Sequence, residues 1–123
     1  MSTPQFKLIF RVPPSHLTLC KEAVFSAGAG KYPGGRYSEV SFETLGIDQF
    51  RPSANSTPYI GQPGVLVQVE EYQVETLCVG VGVMREAVKA LRKAHPYEQV
   101  VVEVIQLVHI EDLDRLEDGF DVP

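Results

Sequence analysis

The run Met84-Arg85-Glu86-Ala87-Val88-Lys89-Ala90-Leu91-Arg92-Lys93-Ala94-His95-Pro96-Tyr97-Glu98-Gln99-Val100-Val101-Val102 changes period once, and that change decides the fold. Met84, Ala87, Val88 and Leu91 recur at helical spacing opposite Arg85, Glu86, Lys89 and Arg92, which predicts an amphipathic helix. Pro96 pushes the residue before it out of helical geometry, so the helix must stop at His95. From Val100 to Leu107 the chain is apolar on both faces apart from Glu103 and Gln106, which predicts a last strand placed centrally in a sheet.

Upstream, Phe6, Leu8, Phe10 and Val12 alternate with Lys7, Ile9 and Arg11, the period of a strand with one buried face. Pro13-Pro14 ends it. Ser15 then caps an expected helix in which Leu17, Cys20, Val24 and Ala27 face inward while Lys21 and Glu22 face outward, and the Gly28 to Gly35 run stops it. Val40 and Phe42 alternate with Glu39, Ser41 and Glu43, predicting a short second strand, and an apolar segment from Val65 to Val79 supplies the third. Between these two strands, Gly46 to Gly64 reads as a long ordered loop anchored by Ile47, Phe50, Tyr59 and Ile60, and such loops often carry function or sit in an interface.

Strand, helix, strand, strand, helix, strand is the ferredoxin-like βαββαβ order, an α+β fold whose antiparallel sheet carries both helices on one face. The other face then needs a cover. A homo-oligomer with packed sheets is expected, the acidic C-terminal tail being the alternative cover. The chain divides into a ferredoxin-like domain over 1–108 and an acidic tail over 109–123.

A chain of 123 residues, 44% of them hydrophobic, suits one core. The formal net charge of -5 sits in the tail, where Glu111, Asp112, Asp114, Glu117, Asp118 and Asp121 face only Arg115, leaving ten acids and ten bases elsewhere. Nucleic acid is therefore not an expected partner, since phosphate binding needs clustered base. Cys20 and Cys78 fall in predicted buried elements and read as reduced thiols of a cytoplasmic protein. The opening residues lack a basic region followed by an apolar stretch, and no run approaches the ~18 residues of a membrane span, so no membrane association is expected.

Two motifs carry candidate chemistry. His95, Tyr97 and Glu98 could bind a ligand, hold a divalent metal through His95 and Glu98, or relay a proton, because imidazole titrates near neutrality and a carboxylate can orient it. Equally, His95 could serve the carbonyl end of its helix while Tyr97 packs and Glu98 is solvated. The glycine turn, with Lys31 and Arg36 beside Tyr32 and Tyr37, could wrap an anion with its amides and two bases, or simply stop a helix. It follows a helix rather than a strand, which excludes a dinucleotide fingerprint. His16 and His109 lack partners at zinc-ligand spacing and read as surface residues, and no nucleophile signature frames any Ser or Cys.

Gly28-Ala29-Gly30-Lys31-Tyr32, Tyr37-Ser38-Glu39-Val40-Ser41-Phe42, Tyr59-Ile60-Gly61 and Ala94-His95-Pro96-Tyr97-Glu98 together resemble the inserted domain of the Nif-three-like family, over about residues 6–107. The last motif is also similar to that of CutA, the divalent-cation tolerance protein. The resemblance implies the trimeric fold shared by CutA and the PII signalling proteins, with Lys31, Tyr32, Arg36, His95, Tyr97 and Glu98 gathering in clefts between subunits. The family's dinuclear metal site is built from His, Asp and Glu residues in two flanking halves whose motifs no position here matches. It thus implies a standalone, non-catalytic module for a small ligand or protein partner, with a CutA-type metal binder or a nucleotide hydrolase as alternatives.

Overall fold

The computed structural model describes residues 3–115. Strand β1 (Gln5–Val12) leads through a 3-10 turn (Pro14–His16) into helix α1 (Leu17–Ser26). Strands β2 (Ser41–Phe50) and β3 (Val67–Val79) follow, then helix α2 (Val81–Ala94), strand β4 (Val102–Leu107) and a second 3-10 turn (Ile110–Arg115). The sheet order is β2-β3-β1-β4 with every pair antiparallel, the ferredoxin-like arrangement. No helix among the described residues is long and apolar enough to cross a membrane.

The alternation in β1 decides which face is core. Phe6, Leu8, Phe10 and Val12 are buried on the helix side, where Val74 and Cys78 of β3 meet Cys20 and Val24 of α1 and Ala87 and Leu91 of α2. Full burial of such a side chain contributes about 1.5–3 kcal/mol, so this cluster dominates the stability. Helix α2 ends as Pro96 requires: His95 turns extended at ψ 139° while its N–H still donates to the Leu91 carbonyl.

Four local expectations are corrected. Strand β2 runs to Phe50 rather than ending near Glu43, so Ile47 and Phe50 are strand residues and the loop shrinks to 51–66. Its facing is inverted too. The register sets Glu43 opposite Val74, on the helix side where Lys21 of α1 pairs with it, and leaves Phe42 67% exposed on the other face. Helix α1 begins without a Ser15 cap, because the Ser15 hydroxyl is spent on His16 Nδ1. Strand β4 lies at the sheet's edge, paired with β1 alone, so its two apolar faces reflect exposure of Val104 and Ile105 rather than a central place. The helix-free face mixes Ile9, Leu77, Ile105 and Leu107 with the cross-strand pairs Lys7–Glu75 and Arg11–Asp48.

Candidate functional site

The histidine–proline corner sits where β1 ends and the β2–β3 hairpin continues past it. His95 is 7% exposed, and its Nε2 lies 2.7 Å from the Arg11 carbonyl while its Nδ1 lies 3.1 Å from the Tyr97 backbone N–H. A backbone N–H only donates, so Nδ1 is the acceptor and Nε2 carries the proton. Burial pushes the histidine pKa down from its ordinary value, against the carbonyl of Arg11, which favours the charged form. The ring is a neutral pin between β1 and the corner.

Glu98 grips the loop in the same way. Its two carboxylate oxygens accept from the Thr57 N–H and the Thr57 hydroxyl, each at 2.9 Å. Tyr59 packs at 6.2 Å from the Tyr97 ring and edge-on to His16 at 5.6 Å, folding residues 51–66 back over the corner. The loop is braced internally by Arg51 Nη1 donating to the Gly64 carbonyl and the Gly64 N–H donating to Pro52. Loop and corner enclose a cleft of about 550 Å³ whose walls include Asp48, Phe50, Arg51, Tyr59, Tyr97 and Glu98. The cleft is half open, and its lining mixes Phe50, Ile60 and Val100 to Val102 with Asp48, Arg51, Ser53, Ser56, Glu98 and Gln99, so a ligand there would meet polar as well as apolar groups.

A group that the sequence reading missed lies behind this wall. Glu71 of β3 is only 2% exposed, and its Oε2 accepts a 2.6 Å hydrogen bond from the Tyr97 hydroxyl. Burial raises the Glu71 pKa, the tyrosine hydrogen bond opposes that, and neighbouring Asp48 adds to the rise. Tyr97 is raised in turn, by burial first and then by Glu71. Arg11 ion-pairs with Asp48 at 3.7 Å and donates to Gln73 at 3.3 Å, and these groups line a second cavity of about 250 Å³ adjoining the first at Asp48. The available signal was Glu70-Glu71, two consecutive carboxylates in one strand, of which one must point to each face of the sheet.

Of the sequence-derived candidates, His95, Tyr97 and Glu98 come together at the corner, but Lys31, Tyr32 and Arg36 stand exposed on a turn at the other end of the sheet. The turn is tied to β3 by the Gly30 N–H donating to Leu77, which lies opposite Lys7, whereas His95 bonds Arg11. Four strand residues separate those anchor points, about 13 Å. Within one chain the two motifs do not converge. Within one chain the candidate metal pair is engaged elsewhere: His95 uses both ring nitrogens and Glu98 both oxygens on other groups, and no cluster of three or more metal-ligating side chains occurs among the described residues. His16 and His109 are half-buried rather than plainly on the surface.

No protein-family model matches the chain. A protein of Halalkalibacterium halodurans named GTP cyclohydrolase 1 type 2 homolog is 36% identical over 104 residues, which is 85% of this chain and 27% of that protein. A Bacillus cereus protein related to NIF3 superposes with a TM-score of 0.74 at 31% identity, covering 89% of this chain and 27% of that one. The periplasmic divalent cation tolerance protein CutA from Archaeoglobus fulgidus superposes at 0.60 with 10% identity, covering 89% of this chain and 92% of its own, a likeness of fold alone. The chain therefore spans about a quarter of the length of the NIF3-type relatives it matches.

Proposed function

The chain is homologous to one segment of the NIF3-family proteins, and from that premise we propose that it is a non-catalytic, self-associating module that binds a small ligand in the cleft between loop 51–66 and the corner at His95-Pro96-Tyr97-Glu98. The observation that carries this reading is the cleft itself, of about 550 Å³, walled by a loop that Glu98 and Tyr59 hold in place. Loops fixed on a rigid sheet are where folds of this kind place binding groups. The cyclohydrolase in the relatives' name belongs to proteins about three times as long as this chain.

The test is a screen of small metabolites, anionic ones included, by ¹⁵N–¹H chemical-shift mapping. Binders are expected to move resonances in 51–66 and 95–102 and to lose affinity at least tenfold in Tyr59→Ala. Binders whose shifts fall elsewhere, with Tyr59→Ala unaffected, would sink the assignment of the site. Divalent metal binding through His95 is the weaker reading, because the ring has no free nitrogen, and equal zinc binding by wild type and His95→Ala excludes it.

A further inference from the structure

Glu71 presents an unpaid cost that points to a proton. Its Oε2 is satisfied by Tyr97, but its Oε1 is buried without a donor, and buried polar atoms are rarely left so. Gly46 of β2 lies directly opposite Glu71, which puts Asp48, two residues further along β2, on the same face as a diagonal neighbour within side-chain reach. Asp48 is among the causes that favour the protonated form of Glu71, and both carboxyls line the same small cavity. Two carboxyl groups can bond to one another only if one of them keeps its proton, and such a proton would give Oε1 the partner it lacks.

We propose that Glu71 and Asp48 share one proton, and that this proton holds the root of loop 51–66 against Tyr97, so that its release loosens the wall of the cleft. The charges around the pair come from every element packed on it. Asp48 belongs to β2, Arg11 of β1 faces it at 3.7 Å, and Tyr97 reaches in from the corner with neutral His95 packed edge-on behind it at 4.8 Å. Tyr59 lies beyond Tyr97, and Arg51 and Glu98 stand in the cleft wall. Arg11 neutralises one carboxylate. When the shared proton leaves to solvent, two negative charges remain beside a single guanidinium, and Asp48, whose side chain is 21% exposed and held only at 3.7 Å by the half-exposed Arg11, is freer than the buried Glu71 that Tyr97 holds at 2.6 Å. Asp48 is two residues from Phe50, where β2 ends and the loop begins, so its displacement moves the loop's root.

This regulation rests on reading the cleft as the ligand site, but its test uses no ligand, so the two fail separately. Amide hydrogen exchange of residues 51–66, corrected for the intrinsic effect of pH, is measured from pH 5 to 9 on wild type, Glu71→Gln and Asp48→Asn. Gln at 71 donates and accepts where the protonated acid does, fixing the closed state. Wild type is expected to lose protection as pH rises above the ordinary carboxylate range, at up to about tenfold per pH unit for one proton, while both variants stay protected across the range. A flat wild-type profile overturns the proposal, as does an unchanged pH dependence in the variants. Should either variant fail to fold, the carboxyl ¹³C titration of Glu71 in the wild-type chain decides: a midpoint in the ordinary carboxylate range overturns the shared proton, and an elevated one that shifts with Asp48 supports it.

Discussion

At the scale of single residues, burial sets the chemistry. His95 is held neutral, so its folded pKa lies below the ordinary value of 6.5 and the unfolded chain takes up a proton more readily. Its contribution to stability is therefore complete above about pH 6.5 and is lost as pH falls through and below that value. His95→Gln should cost roughly 1–3 kcal/mol at pH 7.5 by breaking buried hydrogen bonds, and its stability should fall less steeply than that of wild type between pH 7 and 5. Urea titrations at the two pH values check this, and parallel slopes would show that the imidazole does not titrate with unfolding. Cys20 and Cys78 are free and buried, and desolvation pushes both thiols up to about 11. At pH 8 both should resist a disulfide reagent in the folded chain and react at once in denaturant, because the thiolate is the nucleophile.

At the scale of elements, the loop over the corner hangs on few contacts. Glu98→Ala removes both bonds to Thr57 from a largely exposed site, so global stability should fall by no more than about 1 kcal/mol. The local effect should be larger: chymotrypsin should cut after Tyr59, which is followed by Ile60, several-fold faster in the variant, and equal cutting rates would mean that the packing of Tyr59 alone seats the loop. Helix α2 and its end were legible in the sequence because amphipathic period and proline are local signals. Strand β2 was not, since Gly46 and Asp48 look like loop residues and only pairing with β3 makes them strand. The apolar β4 was misplaced because an exposed apolar edge and a buried centre have the same composition, and they differ only in what lies beside them. The same limit hid half of the site. His95, Tyr97 and Glu98 are neighbours in sequence, whereas Arg11, Asp48, Glu71 and Tyr97 meet only through the sheet register.

At the scale of the whole molecule, the open sheet leaves two edges with unpaired backbone groups, and each exposes large apolar side chains among its polar ones. Ile47 and Phe42 on β2 are 74% and 67% exposed, and Ile105 on β4 is 49% exposed. Apolar open edges of this kind invite pairing with another chain, and nothing in their composition protects them with proline or clustered lysine. Copies of the chain covering one another's edges and helix-free faces would remove that exposure, and Ile105 offers a clean way to test it. It lies directly opposite Lys7, so Ile105→Glu places a carboxylate where the single chain can pair with it, yet sets a charge on the surface that a second copy would bury. Light scattering at micromolar concentration should give a multiple of the single-chain mass for wild type and a shift toward the single chain for the variant, with little change in thermal stability at low concentration. A single-chain mass for wild type, or no response to both Ile105→Glu and Phe42→Glu, would mean that the sheet is covered in some way other than by its own copies.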